Sequence, residues 1–189
     1  MATAKGVEIT NLDATPRTTL EAASGGGKMR VFMDTIAAGT GDIDNNDIIQ
    51  LAEVPSNAKI SSIMLYSDDL DSGGSPSLTW NVGLYNGATA FNDTDGSATA
   101  YAAGAVFDED CYASAVAGSA AITGTECAFE ARNINAVANF VWEDAGLTSD
   151  PKTNVRIALT VQAAAATAAA GDITLVVTCL LYTSPSPRD

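Results

Sequence analysis

The sequence predicts an all-β protein: a single antiparallel β-sandwich or jelly-roll-like domain with an extended N-terminal arm. Three observations point there. Apolar residues recur with a period of two, polar clusters of Gly, Asp, Ser and Asn punctuate those runs, and no helix-length amphipathic segment alternates with them as a βαβ fold would require. At 189 residues the chain suits one core of ordinary size. It divides into an arm with a glycine hinge over 1–28, the sandwich over 29–178, and a distinct tail over 179–189.

The arm carries little apolar periodicity and ends in Ser24-Gly25-Gly26-Gly27, a composition that favours a flexible joint. Residues 29–36, with Val31, Phe32 and Met33, form the first candidate strand, and 39–46 is a polar turn. Residues 47–54 make a β-rich run halted by Pro55-Ser56-Asn57. Along 59–67, apolar residues occupy both parities, so both faces should be partly covered. The clearest run is 78–85. There Leu78, Trp80, Val82 and Leu84 share one face, while Thr79, Asn81 and Gly83 share the other, which predicts a half-buried strand. Asn86-Gly87 then signals a reversal.

Residues 88–125 are rich in Ala, Gly, Ser and Asp, and are expected to form a long excursion with one or two short helical turns, 112–117 among them. Further strands are expected at 127–133 and 137–142, the second ending in Glu143-Asp144-Ala145-Gly146. Finally Val155, Ile157, Leu159 and Val161 alternate with Arg156, Ala158 and Thr160, and Ile173, Leu175 and Val177 alternate with Thr174 and Val176. The alanine-rich connector between these runs is too short to nucleate a helix alone, so a hairpin loop is predicted. The total is seven or eight strands.

Nine basic against 23 acidic residues give a formal charge of −14, and histidine is absent. This composition excludes a His-based triad, a His-ligated metal or haem, and a basic nucleic-acid groove. The start, Met1-Ala2-Thr3-Ala4-Lys5-Gly6, has no apolar core of a secretion signal, and no apolar run reaches the roughly eighteen residues of a membrane span. Neither nucleic acid nor membrane is an expected partner. Cys111, Cys127 and Cys179 are an odd, scattered set, for which reduced structural thiols are the default and a Cys111–Cys127 bridge the alternative. The tail from Cys179 through Leu180, Leu181 and Tyr182 to Pro187-Arg188-Asp189 resembles a translated sequencing-library adapter, so it is set aside; without Arg188 and Asp189 the charge is still −14.

Candidate chemistry is sparse. Asp42, Asp44, Asn46 and Glu53 match the oxygen-ligand spacing of a helix-loop-helix calcium site, but Asp47 stands where glycine is needed and a strand follows where a helix should. Asn92-Asp93-Thr94-Asp95-Gly96 is a shorter oxygen-rich turn. The acid pair Asp68-Asp69 and the run Asp108-Glu109-Asp110 lie on single local segments, without the opposed geometry of acid/base catalysis. Gly25-Gly26-Gly27-Lys28 lacks phosphate-loop spacing. Trp80 and Trp142, the candidate sugar-stacking platforms, fall in alternating runs that favour core packing. No catalytic, cofactor or metal residues are assigned.

In order along the chain, Lys5-Gly6-Val7 with Thr10, Gly27-Lys28-Met29-Arg30-Val31 with Asp34-Thr35, and Ile48-Ile49 with Leu51, Val54-Pro55 and Ala58-Lys59-Ile60 form a recognisable series. It continues through Asp69-Leu70, Leu78 with Val82-Gly83-Leu84-Tyr85, Trp142 with Ala145-Gly146-Leu147-Thr148-Ser149-Asp150-Pro151, and the two final runs. The series resembles small β-rich virion proteins of tailed bacteriophages, of the head-decoration or capsid-stabilising type. That resemblance implies a non-enzymatic protein without cofactors, made in the host cytoplasm and placed on the capsid surface, with the major capsid protein shell as partner and a homo-oligomer, such as a trimer, as its state. An acidic chain fits the outer face rather than the DNA-filled interior. The competing expectation is a carbohydrate- or cell-surface-binding sandwich on a fibre or adhesin.

Overall fold

The structure, a computed structural model, describes residues 9–10, 13–16, 27–92 and 100–181. Most of the predicted arm, the turn at 93–96 and the tail beyond Leu181 lie outside the described residues. Among the described residues ten strands run in chain order: β1 (Lys28–Ala38), β2 (Ile48–Pro55), β3 (Ala58–Ser67), β4 (Thr79–Asn86), the short β5 (Phe91–Asn92) and β6 (Ala100–Tyr101), β7 (Val106–Ala117), β8 (Ile122–Glu126), β9 (Asn154–Ala163) and β10 (Gly171–Leu181). One helical turn, α1 (Val141–Asp144), precedes β9.

Two four-stranded sheets face one another. Their orders are β1-β10-β3-β8 and β2-β9-β4-β7, and every pairing is antiparallel. The first strand pairs with the last, β2 with β9, β3 with β8, and β4 with β7. That nesting is one long hairpin rolled up on itself, with successive windings joined by β10–β3 and β9–β4; it is the topology of a jelly roll.

Rolling explains a correction. The runs at 155–161 and 173–177 are strands, and their connector is not helical, but they do not form a hairpin. Strand β9 lies in one sheet and β10 in the other, because each pairs with its partner in the nested hairpin. The connector therefore crosses from layer to layer.

Inward-facing residues of both sheets make the core. Ile60, Ile63 and Leu65 of β3 and Ile173, Leu175, Val177 and Cys179 of β10 meet Val54 of β2, Trp80, Val82 and Leu84 of β4, and Val155, Ile157, Leu159 and Val161 of β9. Cys179, Leu180 and Leu181, set aside with the tail on sequence grounds, complete β10, and Cys179 is buried.

Three further expectations change. Strand β4 is not half-buried: Asn81, Gly83 and Tyr85 on its second face are enclosed along with Trp80, Val82 and Leu84. The cause is β7, whose register against β4 slips repeatedly. Its backbone at Asp108 and Glu109 lies directly on Gly83, where an added Cβ would come within 2.2 Å of it. Residues 112–117, read as helix-compatible, belong to β7, because Ala and Ser take whichever backbone the neighbouring strand imposes. A bulge places Ala115 at φ 55°, and the Asn81 side chain accepts its N–H at 3.0 Å. Conversely, 127–133 and 137–142 are not strands: they are turns on either side of a 3-10 turn at Ile134–Ala136, the second leading into α1. Glu143 accepts the Phe140 N–H at 2.7 Å, which favours a helical turn there.

Candidate functional site

The acidic loop at 39–47 is spent on its own backbone. Asp42 accepts the Gly39 N–H at 2.8 Å, Asp47 accepts that of Asp44 at 2.8 Å, and Ile43 is buried. Glu53 points elsewhere, pairing with Arg156 at 3.1 Å across β2–β9. The calcium-like spacing is therefore not assembled, and among the described residues no group of three acidic or Cys side chains is placed to hold a metal. Asp68 accepts from Asp172, and Asp69 from Asp71. Both belong to turns.

Trp80 is wholly enclosed, and Trp142 packs partly buried against the core. Trp80 therefore offers no ring face to a sugar. Cys111, Cys127 and Cys179 are all free, and burial pushes the Cys127 thiol up to about 12, so it is inert as a nucleophile.

A residue the sequence did not single out ties the loops at one end of the sandwich. Asp71 is enclosed, and its carboxylate accepts backbone N–H groups from Ser77, Leu78, Ala166 and Thr167 at 2.6–3.1 Å. Burial opposes its ionisation, but those four donors outweigh it and hold the carboxyl at about 2. It fastens the β9–β10 connector to the β3–β4 loop.

A cleft of about 440 Å³ is lined by Asp108, Asp110, Arg132, Glu143 and Asp144, among others. Arg132 is its centre, bound to Asp144 at 2.5 Å with both side chains almost fully buried, and its guanidinium lies over the Tyr112 and Phe129 rings. Between Lys59 and Lys152 it is the sole basic residue, which is the signal that could have marked it. Burial raises the Asp144 carboxyl although Arg132 opposes the shift. Burial also raises Asp108, against a hydrogen bond from the Asp110 backbone, and the Asp110 carboxyl beside it adds to the rise. Tyr112 donates to Asp144, and Glu143 is held by the Phe140 N–H. Each of these contacts closes the β7–α1 corner; none sets an acid opposite a base across a substrate-sized gap.

Among the described residues, one strand and the sheet face beside it expose a continuous row of apolar side chains. Of the eleven residues of β1 only Ala38 is buried; Met29, Val31 and Met33 are 66%, 60% and 70% exposed. Pairing places them beside Leu180, Thr178 and Val176 of β10, which continue to Lys59, Ser62 and Met64 of β3. The result is an outer face whose centre carries no acidic side chain, on a chain of net charge −14. At one corner Leu180 also borders a cleft of about 430 Å³ with Lys59, Phe129 and Val137. An apolar area of this kind on the outside of a sandwich marks a contact surface.

No family model matches the chain, and no curated protein matches it in sequence. Solved structures do share its fold. A chain in the capsid of Ralstonia phage GP4 superposes with a TM-score of 0.58 at 21% identity, covering 84% of this chain and 87% of that one. A chain in the cyanophage Pam1 capsid asymmetric unit gives 0.51 at 23% identity, covering 83% and 87%. The likeness spans nearly the whole of each partner, so the jelly roll is shared as a unit rather than as a fragment.

Proposed function

We propose that this chain is a non-enzymatic structural protein of a tailed-phage virion, seated on the outer face of the head, where it decorates or stabilises the major capsid protein shell. The observation that carries this reading is the jelly roll common to the two phage-capsid chains over more than four-fifths of this one. Charge supports the outer position: a −14 chain is repelled by packaged DNA and gains nothing from its phosphates. The bare face around Met29, Val31 and Met33 supplies apolar area for a shell or a neighbouring copy. The carbohydrate-binding alternative loses the Trp80 platform, which is enclosed in the core, and is left with Trp142, which packs half-buried against it. The N-terminal arm is proposed to add contact area on the shell, and the working state is a homo-oligomer.

The test is to incubate the purified chain with DNA-free expanded heads, sediment them, and locate the added density. Density on the outer shell surface, with heads that withstand more heat, is the expected result. Density inside the shell, or on the tail alone, overturns the outer-face assignment, and particles assembled from this chain alone would make it the shell protein instead. Deleting residues 1–27 should leave a folded product that attaches more weakly; unchanged attachment removes the arm from the mechanism.

A further inference from the structure

Strand β1 is held on one side only. Strand β10 pairs with all eleven of its residues in unbroken register, and among the described residues nothing pairs with its other edge. Its outer face is bare and its inner face only partly covered, for Phe32 packs half-buried against the core next to β2 while Ile36 is 38% exposed. A long, regular, proline-free edge strand bearing apolar side chains is a template for another strand, and folded proteins ordinarily blunt such an edge. Here no bulge or proline does so.

Charge selects the occupant. The strand reads Lys28-Met29-Arg30-Val31-Phe32-Met33-Asp34-Thr35-Ile36, locally net positive on a chain that is otherwise strongly acidic. Arg30 and Asp34 flank Phe32 symmetrically, and neither forms an ion pair among the described residues. Two copies repel one another at long range, so contact requires a segment that is locally positive or self-complementary. This one is both.

We infer that β1 pairs antiparallel with β1 of a second copy across a two-fold axis at Phe32, joining two four-stranded sheets into one of eight strands. In that register Arg30 faces the second copy's Asp34, Val31 faces its Met33, Met29 faces its Thr35, and Lys28 faces its Ile36. Opposed residues share parity, so the outward N–H and C=O groups of both strands meet whichever parity faces the edge. Centring the axis on Val31 or Met33 leaves a lone charge against Phe32, Arg30 in the first case and Asp34 in the second. Centring it on Arg30 or Asp34 sets a like charge against itself. The contact is isologous and closes at two copies.

This pairing specifies the homo-oligomer of the proposed function, yet its test needs no virion. Sedimentation velocity of the full chain should show a dimer. Arg30→Glu and Asp34→Arg should each weaken self-association about tenfold or more, because both symmetric pairs become like-charged, and the combined variant should restore it. Both positions are exposed, so circular dichroism and melting of every variant should match the parent. In an oxidising buffer Phe32→Cys should cross-link to itself, whereas Ile36→Cys should not. A monomeric parent, a trimer indifferent to the single variants, a combined variant that stays monomeric, or equal cross-linking at 32 and 36 overturns the pairing. If heads still bind such a monomer, the virion assignment stands without it.

Discussion

Strands β1 and β4 read alike as sequence, since both alternate large apolar residues, yet they occupy opposite extremes. Every residue of β4 from Trp80 to Asn86 is buried, whereas β1 is exposed along all but its last residue and Phe32. Position in the roll makes the difference. Strand β4 lies between β9 and β7, with β7 also folded across its outer face. Strand β1 is the outermost winding, paired among the described residues with β10 alone. A period of two reports that a strand can bury a face; it does not report whether the assembled molecule supplies a cover, or whether another molecule must.

The largest expected effect lies at β4. Leu84→Ala removes a fully enclosed side chain and should cost about 2–5 kcal/mol in urea unfolding. Gly83→Ala should cost about 1–3 kcal/mol or more, because the new methyl would meet backbone atoms of Asp108 and Glu109, which cannot rotate away. Cost-free alanine at 83 would show that β7 does not press on this face.

The next effect is pH-dependent. The four backbone donors hold the Asp71 carboxyl at about 2 in the folded chain against the opposing effect of burial, below its ordinary value of 3.8. A lowered folded-state pKa gives stability that is fully present above about pH 4 and is lost as pH falls toward 2. Acid titration of Asp71→Asn should therefore show a shallower decline than the parent over that window. Parallel curves would mean that the four backbone donors do not act on this carboxylate.

The smallest effect is expected at β1. Val31→Ala or Met33→Ala should alter the stability of the isolated chain by less than about 0.5 kcal/mol, while reducing self-association or head attachment. A loss comparable with Leu84→Ala would place β1 in the core and break the contrast with β4.

Legibility followed apolar content. The strands at 47–54, 59–67, 78–85, 155–161 and 173–177 were readable because Ile, Val, Leu and aromatic residues mark one or both faces. Strands β7 and β8 were not, since their Ala, Ser, Gly, Asp and Thr make no large-apolar alternation, and they were placed by pairing with β4 and β3. The segment at 127–142 misled in the other direction. It holds Phe129, Val137 and Phe140, but Arg132, Asp144 and the Glu143 contact to Phe140 fold it into a corner.

The same division holds for the functional surface. Net charge and the missing histidine excluded several chemistries without coordinates, and Trp80 in an alternating run already favoured the core. The role of the Asp71 carboxylate was invisible, because it joins segments 96 positions apart; the Arg132–Asp144 pair spans only twelve positions, but its burial depends on the β7 and α1 corner that closes over it.

Composition and short-range alternation by themselves determined that the chain forms an acidic β-sandwich, because side chains on a strand face opposite ways regardless of what lies beyond it. Tertiary structure alone decided which strands are enclosed and which are left bare, because burial depends on the winding order of the roll, and that order is set by contacts between residues more than a hundred positions apart.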